Sequence, residues 1–210
     1  MRTCLMRRGE IGRVSAAAAL AILVGGAAAA ADFQSRFSVE LERYLGVWHE
    51  AARAPNPFQD DAPRENGQTF SPCLTTVTTY ERRDADSITV RNVCTRRSAS
   101  GETLVETAKG VGDILDDPEG RKLELAFGGG LLRGMQRLLG GFDYWIYCLG
   151  PENDAGRYAW TVVGDPPGEF LYILTREAEP SEAVIDAALS CARAEGRPVR
   201  KLEFTEARRP

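Results

Sequence analysis

The chain has 210 residues, 43% of them hydrophobic, with 26 basic against 30 acidic side chains and a formal charge of −4. That balance argues against nucleic-acid binding, which depends on Lys and Arg neutralising phosphates. The length suits one domain once a leader is set aside.

Arg2, Arg7, Arg8 and Arg13 give a basic start, residues 14–30 are uncharged and mostly small or apolar, and Asp32 opens a polar chain. This is the layout of a secretory signal peptide, so residues 1–31 are expected to be removed and 32–210 to form the single mature domain. A membrane anchor is the competing reading. It is disfavoured because the run is Ala- and Gly-rich and falls short of the about twenty strongly apolar residues a stable span needs. Cys4 precedes the run and no Cys stands at the cleavage region, so no lipoprotein anchor is expected. The mature protein should be exported, periplasmic or secreted, and soluble. Four cysteines remain in it, Cys73, Cys94, Cys148 and Cys191. An even number in an exported chain favours two disulfides, with three connectivities open. No C-x-x-C pair occurs, which disfavours zinc and thioredoxin-like redox chemistry, and no cofactor is expected.

Strand-like runs then follow at 47–54, 74–82, 87–95, 104–115, 121–127, 142–149, 158–164 and 170–176. Stretches such as TTVTTY and FLYIL are rich in β-branched and aromatic residues. Turn chemistry separates them in RDAD, DDPEG, GPENDAG and GDPPGE. No helix alternates with these runs, so a parallel sheet is not expected. Many short antiparallel strands imply a sandwich or a closed barrel. One helix follows: Ser181 caps it, Ala183, Val184, Ala187, Ala188 and Cys191 recur at helical spacing, and Gly196-Arg197-Pro198 ends it. Residues 199–205 read as a final edge strand.

The stretch YLGVWHEAARAPNPF, residues 44–58, narrows the fold. It resembles the opening motif of the lipocalins, most closely the bacterial and apolipoprotein D-like branch, through Gly46, Trp48, Glu50, Arg53, Pro55, Asn56 and Phe58. His49 replaces the usual aromatic. Further matches are Asp143-Tyr144-Trp145, Tyr158-Ala159-Trp160, Val163-Gly164-Asp165-Pro166 and LYILTR at 171–176. The resemblance runs from Tyr44 to the end. It implies an eight-stranded antiparallel up-and-down lipocalin barrel, with a C-terminal α-helix packed outside and a final edge strand. It also assigns structural roles to Gly46 at the barrel floor, to Trp48 as a plug at the closed end, and to Arg176 lying across the Trp48 ring, a contact worth about 0.5–2 kcal/mol.

No catalytic set is legible. His49 is the only histidine and faces opposite to Trp48 on strand alternation, hence outward. There is no G-x-S-x-G elbow, P-loop or dinucleotide fingerprint. What the resemblance implies is a cavity for one small apolar ligand. Glu50 shares the inward parity of Trp48. By the same resemblance Tyr80, Ile88, Val90, Asn92, Trp145 and Tyr147 are expected to face inward and line a site for a fatty acid or lysophospholipid-like molecule. The barrel also implies the pairings Cys73–Cys94, near the open end, and Cys148–Cys191, riveting helix to barrel. Strict alternation from Tyr80 opposite Val90 puts Cys73 beside Arg97, so the first pairing calls for a bulge near Thr75 and Thr76.

Two loops depart from the family pattern. The polar segment 59–72 is long and lies at the expected open mouth. The second departure is GGGLLRGMQRLLGG, residues 128–141, which inserts Leu131, Leu132, Met135, Leu138 and Leu139 at the spacing of one helical face. Leu131, Met135 and Leu138 are therefore added to the candidate ligand-contacting set. The leading expectation is an exported carrier or store of a small hydrophobic ligand. The alternatives are a lipocalin that docks on a membrane or partner through the 128–141 insert, as a small interfacial helix would, and a lipid-modifying enzyme.

Overall fold

The computed structural model describes residues 37–128 and 141–205. The expected leader and the residues Leu131, Met135 and Leu138 lie outside that range.

A single helical turn, α1 (Leu41–Tyr44), leads into strand β1 (Gly46–Arg53). Gly46 joins them at φ +98°, a conformation that a residue with a Cβ resists. After β1 come a second turn, α2 (Pro57–Asp60), and a small hairpin of β2 (Arg64–Glu65) and β3 (Gln68–Thr69). Asn56 starts α2 by accepting the Gln59 amide at 3.2 Å, with Pro57 at the first helical position. Seven strands then follow: β4 (Thr75–Arg82), β5 (Ser87–Arg97), β6 (Thr103–Ile114), β7 (Lys122–Phe127), β8 (Phe142–Leu149), β9 (Trp160–Gly164) and β10 (Leu171–Thr175). Each pairs antiparallel with the next, and β10 returns to β1, so eight strands close a barrel.

Helix α3 (Glu182–Ala194) is capped by Ser181 and stops before Gly196, which takes φ +69°. Residues 199–205 are not one strand. Val199–Lys201 forms a 3-10 turn, and only β11 (Glu203–Phe204) pairs, with Ala52 and Arg53 of β1. β1 therefore has a divided edge. Gly46 to His49 pair with β4, and the ladder ends there. Beyond it β11 takes over.

Two bulges set which side chains face inward. In β1 the register against β10 shifts between Glu50 and Ala52, and in β8 the register against β9 shifts between Ile146 and Cys148. The extra residues, Ala51 and Tyr147, reset the inside–outside alternation. Two apolar clusters result. The inner one gathers Tyr44, Trp48, Tyr80, Ile88, Val90, Leu123, Leu125, Tyr144, Ile146, Val163 and Leu174. The outer one packs Ile185, Ala188 and Ala192 of α3 against Ala51, Ala52, Tyr147, Cys148, Val162 and Ile173 of the barrel wall. Alanines on both sides let helix and wall approach closely.

Both expected disulfides are present. Cys148 reaches Cys191 on α3 across a Cα separation of 6.3 Å, and Cys73 reaches Cys94 across 5.5 Å. The bulge expected in β4 is absent. The ladder with β5 runs regularly from Arg82↔Ile88 to Thr75↔Thr95. Cys73 instead precedes the strand, where its amide turns away to donate to the Gln59 carbonyl at 2.8 Å. Leaving the ladder brings it to Cys94.

Candidate functional site

The barrel encloses a cavity of about 490 Å³. Alternate residues of β4 and β5 give one wall a polar cast, with Thr76, Thr78 and Asn92. The rest of the lining is mostly apolar and includes Leu125, Phe127, Val163 and Leu174. Asn92 Oδ1 is buried without a hydrogen-bond partner.

Trp48 closes the floor. It is fully buried, and its indole N–H donates to the Tyr44 carbonyl at 2.8 Å. Arg176 lies over its ring, 3.6 Å from the centroid. The same guanidinium donates to the carbonyls of Arg43, Tyr44 and Leu45, each at 3.0 Å, and to Val47 at 2.6 Å. These include carbonyls that the end of α1 leaves without intrahelical partners. One side chain thus covers the plug and caps the turn leading into it. Burial, with Arg157 nearby, lowers the Arg176 pKa to about 10.

Above Trp48 three phenols converge. The Tyr44 and Tyr144 hydroxyls are 2.7 Å apart, and those of Tyr80 and Tyr144 are 2.8 Å apart. Tyr44 stacks on Tyr80 at 5.7 Å, and Tyr80 meets Tyr144 edge-on at 6.0 Å. Tyr80 and Tyr144 line the cavity, whereas Tyr44 lies behind them. Burial pushes all three well above the ordinary phenol range, so each keeps its proton.

Higher up, Glu50 points inward and pairs with Arg53 at 3.1 Å. Arg53 also pairs with Asp60 of α2. Gln59 Nε2 donates to Glu50 at 2.6 Å and to Thr76 Oγ1 at 2.9 Å. This amide bridges β1 and β4 where their backbone ladder stops. Burial raises the Glu50 pKa, against the pull of Arg53. Arg96, also buried, ties the mouth loop down. It donates to the carbonyls of Phe58, Gln59, Asp61 and Ser71 and pairs with Glu106. At the mouth itself Phe58 and Phe142 are 65% and 38% exposed, and both pack against Phe170.

Glu50, Tyr80, Val90 and Asn92 all line the cavity. Ile88 is buried in the inner cluster but does not reach the lining. Trp145 and Tyr147 correct the expectation: they face outward, into the cluster beneath α3. Strict alternation cannot hold Tyr144 and Ile146 inside and Cys148 outside. The bulge at Tyr147 allows both. Tyr147 donates to the Asp165 carbonyl at 2.9 Å, and Arg197 lies 4.4 Å over its ring, which pins the chain after α3. Sequence reasoning missed Tyr144 for want of that bulge. It missed Arg96 because an arginine beside a second one, Arg97, reads as surface charge. Its one signal was inward parity with Asn92 and Cys94.

The described residues thus form a closed eight-stranded antiparallel barrel with an external helix, a buried tryptophan at its floor and a cavity that opens at the other end. The sequence model described as "Lipocalin-like domain" matches residues 39–207, and the chain belongs to that family. Temperature-induced lipocalin-1 of Arabidopsis thaliana is 27% identical over 167 residues, covering 80% of this chain and 78% of the plant protein. Similar solved structures include apocrustacyanin C2, at 15% identity and a TM-score of 0.49 over 79% of this chain and 78% of that one. Lipocalin 12 from rat epididymis is 12% identical, with a TM-score of 0.49 over 82% and 88%. The siderocalin Ex-FABP, described as functioning through dual ligand specificities, is 10% identical, with a TM-score of 0.43 over 77% and 93%. No helix among the described residues is long and apolar enough to cross a membrane.

Proposed function

We propose that this chain is an exported member of the bacterial and apolipoprotein D-like branch of the lipocalins. It binds and carries or stores a small hydrophobic ligand, a fatty acid or lysophospholipid-like molecule, in its barrel. The observation that carries this reading is the cavity of about 490 Å³ that runs from Tyr80 and Tyr144 to the mouth phenylalanines. That volume lies in the range of small-molecule sites. The opening motif at 44–58 supports the branch, and two disulfides support export, because such bonds persist in oxidising compartments. Native mass spectrometry and lipid extraction of the purified protein test it. A co-purifying acyl lipid is expected, and a cavity that stays empty and ignores fluorescent fatty acids defeats the reading.

A second reading follows from exposed Phe58 and Phe142 at the mouth: contact with a membrane surface. Flotation with anionic vesicles separates the two. A Phe58→Ser/Phe142→Ser variant that no longer floats but still binds lipid assigns the mouth to docking and the barrel to carriage.

A further inference from the structure

The three phenols at the foot of the cavity are more than filler. Three buried hydroxyls cost stability unless each is bonded, and here they bond to one another. Two bonds join three hydroxyls, so one hydrogen is left over. Run from Tyr80 through Tyr144 to Tyr44, the relay leaves that hydrogen on Tyr44, and the residues that border the cavity, Tyr80 and Tyr144, offer only oxygen lone pairs. Run the other way, it leaves the hydrogen on Tyr80.

Charge narrows the choice further. Among the described lining residues Arg96 is the only cation, and its guanidinium is taken up by Glu106 and loop carbonyls. Glu50, Glu106 and Asp143 add acidic groups to the same lining. Arg176, which acts on Tyr44 and Tyr80, is not part of the lining and is committed to four backbone carbonyls and the Trp48 ring, so a buried anion would meet no uncommitted cation of the lining beside the phenols.

Resting on the carrier reading above, we infer that the cavity takes an elongated apolar ligand whose buried end carries a neutral oxygen, a hydroxyl above all, seated against Tyr80 and Tyr144. A hydroxyl donates to the free lone pairs and accepts if the relay reverses, so either arrangement satisfies it. A fatty acid would seat there only as the uncharged acid.

Displacement of the neutral reporter N-phenyl-1-naphthylamine from delipidated protein tests this, with dodecanol, dodecane and dodecanoate as competitors at neutral pH. Dodecanol is expected to bind about threefold to tenfold more tightly than dodecane, the worth of one net hydrogen bond. It is also expected to perturb the near-ultraviolet tyrosine spectrum where dodecane does not. Tyr144→Phe and, separately, Tyr80→Phe should abolish the preference, read as the ratio of dodecanol to dodecane affinity, in variants shown to be folded by circular dichroism. Equal affinity for dodecanol and dodecane in the wild type, tighter binding of dodecanoate, or a preference that survives both substitutions overturns the inference while the cavity reading stands. If the reporter does not enter and no competitor binds, both fall together.

Discussion

The two ends of the barrel are built on different principles. At the floor, Trp48, Arg176 and the phenol relay interlock, and nearly every polar atom is satisfied by a neighbour from a distant part of the chain. At the mouth, exposed phenylalanines touch one another, and the loop between β1 and β4 is held by separate ties: Arg96, the Arg53–Asp60 pair, the Gln59 amide and the Cys73–Cys94 disulfide. The floor therefore concentrates stability in one interlocked set, while the exposed phenylalanines of the mouth can vary with little thermodynamic penalty. A carrier needs both a fixed shape at the end that recognises a ligand and an end that admits it.

The largest expected effect is at the floor. Trp48→Ala should destabilise by about 3–5 kcal/mol, through lost burial and a cavity beneath Arg176. Denaturant unfolding measures this, and a loss below that of a mouth substitution would erase the contrast. Next, Cys148→Ser/Cys191→Ser should remove about 2–4 kcal/mol. That bond spans 43 residues and Cys73–Cys94 spans 21. The mouth-side pair should therefore contribute about 0.6 kcal/mol less on loop-closure grounds. Arg96→Gln should then cost about 1.5–3 kcal/mol, the range for charged hydrogen bonds. Hydrogen exchange should quicken in residues 58–72 while the floor strands keep their protection.

Glu50 predicts a pH signature. Burial raises its folded pKa above the unfolded value, so the folded state holds the proton more tightly. The resulting stabilisation is fully present below the unfolded pKa and is lost as pH rises through the folded one. Glu50→Gln should remove that decline, so wild type and variant stabilities converge or cross as pH rises from about 4. Parallel curves would mean the carboxyl is not held as the structure has it. The smallest effect belongs to Phe58→Ser, expected within about 0.5 kcal/mol of wild type as an exposed substitution. A faster ligand off-rate at unchanged stability would mark the mouth as a kinetic element only.

Much of the barrel was legible because its strands carry the period-two pattern between clear turn residues. TTVTTYER buries Thr76, Thr78 and Tyr80 in strict alternation. The opening motif together with LYILTR at 171–176, through the family resemblance, locates Trp48 and Arg176 relative to one another. What sequence could not supply were the two bulges, since a single extra residue leaves no trace in composition yet exchanges the inner and outer faces beyond it. The resemblance puts Trp145 and Tyr147 in the cavity, and without the bulge at Tyr147 strict alternation could not place Tyr144 and Ile146 inside with Cys148 outside. Residues 199–205 failed differently. The stretch reads as a strand, but Pro198 and the 3-10 turn at Val199–Lys201 leave only Glu203–Phe204 paired.

The floor has a consequence for how the chain reaches its fold. Arg176 and Val47, which meet there, lie 129 residues apart in sequence. β1 has no closing partner until β10 arrives, so the plug cannot form on a partial chain. Contacts of such separation slow folding, and an unclosed β1 is an unpaired edge that another molecule can capture. Truncation before Arg176 should therefore yield not a smaller stable barrel but an open sheet prone to association.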